Sequence, residues 1–191
     1  VRAVVGRQRH LFPIQHPGLE HHRQRVRADL VAHGRRDAYF GVGRDSEGGD
    51  VAAQKLLAWR HIEGNGVPKD PAAAAMWYRK AAESGDPDAQ TRLAGMYRDG
   101  IGVPKEPIEA AKWYRKAAEK GNAEAFAGYG RALLYGRGVA QNESAAADWI
   151  RKAAERGVPE GLFLRGVLYA YGRGEPMDGA EALAWFRKSA E

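Results

Sequence analysis

The stretch that decides the fold is "GIGVPKEPIEAAKWYRKAAEKG", residues 100–121. Its opening Gly-x-Gly is similar to half of a phosphate-binding loop, but the whole stretch recurs along the chain. Its counterparts read "GNGVPKDPAAAAMWYRKAAESG" (64–85), "GRGVAQNESAAADWIRKAAERG" (136–157) and "GRGEPMDGAEALAWFRKSAE" (172–191). A loop that returns at a fixed interval is typical of a repeat architecture, so we interpret it as structural rather than catalytic.

The interval between equivalent residues is constant along the second part of the chain. Equivalent residues lie 36 positions apart, as in the series Trp77, Trp113, Trp149 and Trp185 and the series Gly49, Gly85, Gly121 and Gly157. The period predicts an array that begins near Gly49, after an N-terminal region of different composition. Its four units are residues 49–84, 85–120, 121–156 and 157–191.

Each unit is predicted to be a pair of helices joined by a glycine-marked loop. In the second unit we expect helices over residues 87–99 and 107–119. Asp86 is a good N-cap, and Pro87 follows it where a missing N–H costs nothing. Gly100 falls just past the first helix, where a left-handed backbone is favoured. Further N-caps are expected at Asp70, Asn122, Asn142 and Asp178.

Apolar residues recur at intervals of three and four within each predicted helix. In the second unit the two stripes are Ala89, Leu93, Ala94 and Tyr97, and Ala110, Ala111, Tyr114 and Ala117, with Trp113 beside the latter. Small residues that face large aromatic ones let short helices pack closely. One such pair cannot bury both of its faces, so each unit must pack on the next. We therefore predict an all-α protein whose tryptophans lie in the core rather than in a ligand-stacking ladder.

The segment "AQTRLAGMYRDGIGVPKEPIEAAKWYRKAAEKG" (89–121) resembles the Sel-1-like repeat, a relative of the tetratricopeptide repeat. The resemblance covers residues 49–191 and implies a right-handed α-solenoid of four 36-residue helix-turn-helix repeats. The resemblance also implies a non-enzymatic adaptor that assembles protein complexes, a role that in bacteria is often at the envelope or in contact with hosts. The departures from the pattern are Tyr129, Gly161, Arg165 and Glu175, and the last three leave the packing of the fourth unit open.

Similarity to tetratricopeptide repeats also implies that the first helices line a concave groove that binds a peptide or a helix. The groove residues expected from that similarity are Lys55, Trp59, Thr91, Arg98, Arg131, Tyr135, Phe163 and Tyr171. Aromatic side chains and Arg favour binding hot spots, so we expect an apolar and moderately basic surface and a ligand with acidic and apolar residues. The competing interpretation is that Trp59 and Phe163 only cover the ends of the array.

Catalytic signatures are absent from the sequence. It has no Cys, no Walker A loop, no H-E-x-x-H, no G-x-S-x-G and no S-x-x-K. This disfavours a hydrolase of the β-lactamase-like kind, with which some cysteine-rich relatives are associated. We expect no enzymatic activity, no cofactor and no metal in the repeats.

The net charge of +6 does not indicate nucleic-acid binding. Residues 1–48 hold nine Arg and five acidic residues, whereas residues 49–191 carry a net charge of only +2. No basic stripe with interleaved aromatics runs through the repeats, so nucleic acid is not an expected partner. No apolar run approaches the roughly 18 residues that span a bilayer, so membrane insertion is not expected.

Residues 1–48 are interpreted as an Arg- and His-rich leader that is disordered or loosely helical. Helical spacing occurs only in "LEHHRQRVRADLVAHG" (19–34), and no secretory signal is recognisable, which leaves cytoplasmic and periplasmic or secreted locations open. A metal site is the alternative, but two neighbouring histidines point to different faces of a helix. The histidines concerned are His10, His16, His21, His22 and His33.

The sequence stops at Glu191, directly after a predicted second helix and without a polar capping helix. Solenoids usually need such a cap, so we expect either a longer array or self-association through the last repeat. A further alternative is that the repeats are a structural or regulatory segment of a larger bacterial envelope or host-interaction protein.

Overall fold

The computed structural model describes residues 49–191, and this range contains eight α-helices and no strand. Residues 1–48, with the helix predicted over residues 19–34 and the five histidines, lie outside the described residues. The helices are α1 (Val51–Glu63), α2 (Pro71–Glu83), α3 (Pro87–Asp99), α4 (Pro107–Glu119), α5 (Ala123–Tyr135), α6 (Glu143–Glu155), α7 (Pro159–Tyr171) and α8 (Gly179–Ala190). The helices predicted for the second unit are confirmed at both ends.

Short polar side chains start most of these helices, because each accepts a hydrogen bond from a backbone N–H of the first turn. Capping residues of this kind are Asp50, Asp70, Asp86, Asn122, Asn142 and Asp178. Two helices lack this bond. Glu106 occupies the N-cap position of α4 without making it, and Val158 cannot make it at α7. In both helices Pro at the first position fixes the entry of the chain instead.

A glycine in the left-handed conformation ends every first helix. Gly100 follows α3 with φ 75°, and its N–H donates to the carbonyl of Met96 at 2.8 Å. Any other residue would pay about 1–2 kcal/mol for this backbone conformation. Gly64, Gly136 and Gly172 hold the same position with φ of 74°, 64° and 63°.

Each helix packs on the helices before and after it in sequence, which makes the array a helical solenoid. The predicted stripes are buried. Leu93 and Ala117 are 0% exposed, and Tyr97 and Tyr114 are 5% and 6% exposed. The core is continuous because residues on α5 and α6 also contact α7, where Leu164 and Leu168 are buried in the same cluster. Stability therefore depends on stacking between units.

The tryptophan series is packed as predicted in the first half of the array and less completely in the second. Trp77 and Trp113 are each 8% exposed, whereas Trp149 and Trp185 are half-buried. Each indole is also covered by the ammonium group of the lysine three residues later, at 4.2–4.4 Å from the ring centroid. These lysines are Lys80, Lys116, Lys152 and Lys188. The four tryptophans therefore pack in or at the edge of the core, and each also makes a cation–π contact with a lysine.

The departures from the repeat pattern are accommodated locally. The Tyr129 ring packs edge-on against Trp149 at 5.8 Å, and the Arg165 guanidinium stacks over Trp185 at 4.7 Å. Gly161 permits close packing, since a Cβ there would stand 2.6 Å from the Cβ of Ala153. The fourth unit therefore packs on the third.

Candidate functional site

The first helices of consecutive repeats, α1, α3, α5 and α7, carry all eight residues predicted for the groove. We call the surface that they form the first-helix surface. Where α1, α3 and the start of α5 meet, this surface holds a pocket of about 410 Å³. Its lining residues are Lys55, Leu56, Trp59, Tyr78, Asp88, Thr91, Arg92, Asn122 and Glu124. Side chains from three repeats thus line one pocket.

An ion-paired network links the repeats along one side of the pocket. The Lys55 ammonium donates to Oδ2 of Asp86 at 2.9 Å and to Oδ2 of Asp88 at 3.4 Å. The Asn122 amide donates to Oδ1 of Asp88 at 2.9 Å. The hydrogen bond to Asp86 raises the pKa of Lys55, so its ammonium form is stabilised. These groups hold α1, α3 and α5 in register and are already engaged with one another.

Four other pocket side chains are exposed and available to a ligand. Leu56 and Trp59 are 38% and 44% exposed. Arg92 and Glu124 are exposed as well, and neither forms an ion pair or a hydrogen bond with any residue in the described range. The pocket therefore offers an apolar side, and a cation and an anion that have no partner among residues 49–191.

The Tyr78 side chain reaches this pocket from the second helix of the first repeat. The residue is 8% exposed, and burial raises the pKa of its phenol, while the charges of Arg92 and Lys55 act in the opposite direction. A phenol with a raised pKa remains protonated at neutral pH and can donate or accept a hydrogen bond.

A second polar cluster occupies the first-helix surface of the second to fourth repeats, and its groups satisfy one another. Arg98 donates from Nε and Nη2 to the two carboxylate oxygens of Asp99 at 2.7 and 2.6 Å, and from Nη1 to the Tyr114 hydroxyl at 3.1 Å. Arg131 pairs with Glu160 of the next repeat at 2.6 Å. The hydrogen bond from Arg98 lowers the pKa of Asp99, and burial raises the pKa of Tyr114. Each charged side chain of this second cluster therefore already has a partner within the cluster.

The structure brings three of the eight predicted residues together. Lys55, Trp59 and Thr91 line the pocket, although Thr91 is only 6% exposed and its hydroxyl donates to the carbonyl of Pro87. Arg98 and Arg131 belong instead to the second cluster, where each already has a carboxylate partner.

The remaining three predicted residues lie apart from the pocket. Tyr135 is 41% exposed, and the guanidinium groups of Arg137 and Arg173 lie 5.4 and 5.3 Å from its ring centroid. Phe163 is 51% exposed and packs against Phe186 with ring centroids 5.5 Å apart. Tyr171 is 73% exposed.

Equivalent positions of the four repeats differ in exposure. Phe163 is equivalent by the 36-residue period to Lys55, Thr91 and Ala127, and the last two are 6% and 0% exposed. The interpretation that Phe163 only covers the end of the array stays a prediction.

The sequence analysis did not select Leu56, Tyr78, Arg92 or Glu124. A usable signal existed for two of them, because Leu56 and Arg92 directly precede the buried Leu57 and Leu93 of the repeat pattern. Tyr78 was missed because its stripe predicts core packing, and nothing in that stripe reveals that the residue also lines the pocket.

An array of helix pairs with left-handed glycines after each first helix, together with one surface built from successive first helices, defines a helical-repeat solenoid protein. The Sel1 repeat pattern matches residues 51–86, 87–122, 123–158 and 159–191. The chain therefore belongs to the Sel1 repeat family. Proteins of this family are generally protein-interaction scaffolds.

Solved structures of bacterial proteins share the fold. Protein c5321, a protective antigen present in uropathogenic Escherichia coli strains with an SLR fold, is 33% identical with a TM-score of 0.72, over 93% of this chain and 41% of that protein. A Sel1 repeat protein from Oxalobacter formigenes is 32% identical with a TM-score of 0.66, over 91% of this chain and 68% of that one. Among curated proteins, none is significantly similar to this chain in sequence.

Two further properties concern residues 49–191. None of their helices combines the length and apolar character that crossing a membrane requires. No group of three or more His, Cys, Asp or Glu residues in this range is arranged to hold a metal ion.

Proposed function

We propose that this protein is a non-enzymatic scaffold that binds a peptide or a helix of another protein along its first-helix surface. The observation that carries the proposal is the pocket shared by three repeats, with the half-exposed Trp59 and Leu56 beside Arg92 and Glu124, whose charges have no partner in the described part of the chain. Aromatic and Arg side chains in a concave site contribute most of the energy in protein interfaces. A partner segment that contacts three repeats at once would also gain specificity from their fixed spacing.

The protonation states in the pocket support binding rather than catalysis. A lysine that acts as a nucleophile or base needs a lowered pKa, whereas ion pairing raises the pKa of Lys55. The Tyr78 phenol is likewise held in its neutral form by burial. Both groups are suited to fixed hydrogen bonds and charge complementarity.

A peptide library tests the proposal directly. Random 12-residue peptides displayed on phage are selected on the immobilised full chain, and the binding of the enriched peptides is then measured by fluorescence anisotropy. Trp59→Ala should weaken this binding about tenfold or more, since Trp is the strongest kind of hot-spot residue. Met76→Ala is the matched control, because Met76 is 36% exposed on the second helix α2.

A second variant shows how far the ligand extends. Arg131→Ala combined with Tyr135→Ala should weaken capture of a ligand that continues along the groove, while helical content by circular dichroism stays unchanged. If neither Trp59→Ala nor this double variant changes binding, the site lies on the second helices or the loops, and the proposed groove is wrong.

The alternative role, as a structural or regulatory segment of a larger envelope or host-interaction protein, is supported by similarity to a protective antigen. The chain spans only 41% of that protein's length. The neighbouring coding sequence tests this role, because a secretion signal or a membrane segment upstream in the same reading frame would favour it.

We also propose self-association through the fourth repeat. Its exposed apolar side chains are Phe163, Met177 and Leu183, at 51%, 76% and 50% exposure. Light scattering of the full chain should show a mass above that of one chain, and Phe163→Glu with Leu183→Glu should return it to a monomer. A monomer at all concentrations would refute this contact.

A further inference from the structure

Arg92 differs from every residue at the same position of the other repeats. By the 36-residue period, Arg92 is equivalent to Leu56, Gly128 and Leu164, so it is the one charged residue at this position of the four repeats. Arg92 lies near the middle of α3, away from both helix ends, so capping does not explain its charge. The repeat fold thus requires no cation here.

The surroundings of Arg92 place it between an apolar site and an acidic one. Trp59 and Leu56 line the pocket from α1, and Glu124 lines it from α5, on either side of α3. The neighbouring cation, Lys55, is already paired with two carboxylates. Arg92 is therefore the pocket cation that is available to an incoming carboxylate.

Two other arginines of the first-helix surface, Arg98 and Arg131, do not compete for that role. Arg98 is engaged with both oxygens of Asp99 and with the Tyr114 hydroxyl, and Arg131 is paired with Glu160. A ligand carboxylate would have to break one of these pairs before it could bind there, whereas Arg92 needs no such exchange. Of these three arginines, only Arg92 has no carboxylate partner among the described residues.

We propose that the pocket selects a peptide segment in which an apolar, an acidic and a basic side chain follow one another about three residues apart. The apolar side chain contacts Trp59 and Leu56, the carboxylate pairs with Arg92, and the basic group pairs with Glu124. The order follows the order of α1, α3 and α5 along the pocket, and three residues of an extended chain, at about 3.3 Å each, span about 10 Å, the usual separation of neighbouring helices. This inference rests on the proposed function and names the ligand class of the same site.

The test is a parallel selection of the 12-residue phage library on the full-length wild type and on three variants. Arg92→Glu reverses the charge, Arg92→Gln removes it, and Lys69→Glu is a control for net charge in the loop after α1. Lys69 is exposed and makes no hydrogen bond or ion pair with the described residues. Circular dichroism checks that each variant has the helical content of the wild type.

Peptides selected on the wild type and on Lys69→Glu should share an acidic residue about three positions from an apolar one. That acidic preference should disappear on Arg92→Gln and become a preference for Lys or Arg on Arg92→Glu. A synthetic peptide with the selected sequence should lose about 10- to 100-fold in affinity when its acidic residue is changed to Lys. Arg92→Glu should recover at least part of that loss.

The outcomes separate this inference from the proposed function. Peptides that are enriched on all four proteins with the same acidic preference would overturn the role of Arg92 and leave peptide binding intact. If no peptide is enriched on any of the four over an uncoated surface, both the peptide-binding proposal and this inference are wrong.

Discussion

Gly102 approaches the carbonyl oxygen of Pro71 so closely that a Cβ atom on Gly102 would stand 2.0 Å from it. The same contact joins Gly138 to Pro107, also at 2.0 Å, so the second glycine of these two Gly-x-Gly loops packs on the preceding repeat. At Gly66, in the first described repeat, a Cβ would meet nothing within 4 Å. The loop that is similar to a phosphate-binding motif therefore serves as a contact between repeats.

This relationship predicts that Gly102→Ala is more destabilising than Gly66→Ala. The two glycines have similar backbone strain for a larger residue, with φ of 70° and 77°, which costs about 1–2 kcal/mol. Only Gly102→Ala adds a clash with backbone atoms, so its loss in free energy of unfolding by urea denaturation should exceed that of Gly66→Ala by at least about 1 kcal/mol. Equal losses would show that the close approach between repeats is not needed.

Two helical glycines near the Tyr114 side chain should respond to alanine in opposite directions. A Cβ on Gly95 would lie at an ordinary 3.6 Å from the Tyr114 hydroxyl, whereas one on Gly128 would lie 2.5 Å from its ring. Gly95→Ala should therefore stabilise the protein by about 0.5–1 kcal/mol through helix propensity. Gly128→Ala should destabilise it by about 1–3 kcal/mol, because it displaces a buried ring between the second and third repeats. Thermal unfolding measures both, and stabilisation by Gly128→Ala would contradict the packing of Tyr114.

Trp113→Ala should lower the free energy of unfolding by about 3–5 kcal/mol, as expected for a buried indole. Neighbouring repeats should melt with it, because each unit depends on its neighbours. Trp185→Ala is the matched comparison, since this indole is half-buried, and its effect should be less than half as large. A Trp113→Ala variant that kept the wild-type melting temperature would rule out the core assignment.

The pair of Arg98 and Asp99 should contribute stability that depends on pH. Its hydrogen bond lowers the pKa of Asp99 from the ordinary 3.8, so the contribution is fully present above that value and is lost as the pH falls through the lower folded-state pKa. At pH 7, Asp99→Asn should cost about 0.5 kcal/mol, since the side chain is 42% exposed.

Urea denaturation at neutral pH and at about pH 2 checks this prediction. The difference between wild type and Asp99→Asn should shrink at the lower pH, because the wild-type carboxyl takes up a proton as the pH falls towards and through its folded-state pKa. Glu124→Gln is the control, as this residue forms no ion pair in the described range, and it should have little effect at either pH. A penalty for Asp99→Asn that stays constant with pH would exclude the charge as its cause.

The bounds of the helices were predictable because they depend on residues close together in sequence. Asp86 before Pro87, and Gly100 after α3, determine local backbone geometry through hydrogen bonds and the freedom of glycine, and both recur with the period. The burial of Leu93 and Tyr114 was also predictable, since helical spacing alone places them on the inner face. Membership of the repeat family follows from the same local pattern.

The sequence by itself therefore determined the number of helices, their ends, their core residues and their repetition. Only the tertiary structure decided which polar residues of the first-helix surface are available to a ligand. Lys55 and Arg131 have carboxylate partners 31 and 29 residues away, whereas Arg92 has none in the described range. Pairing between side chains of different repeats depends on distances of a few ångströms. A period of 36 residues fixes which backbone positions are neighbours, but it does not determine which charged side chains come within those distances.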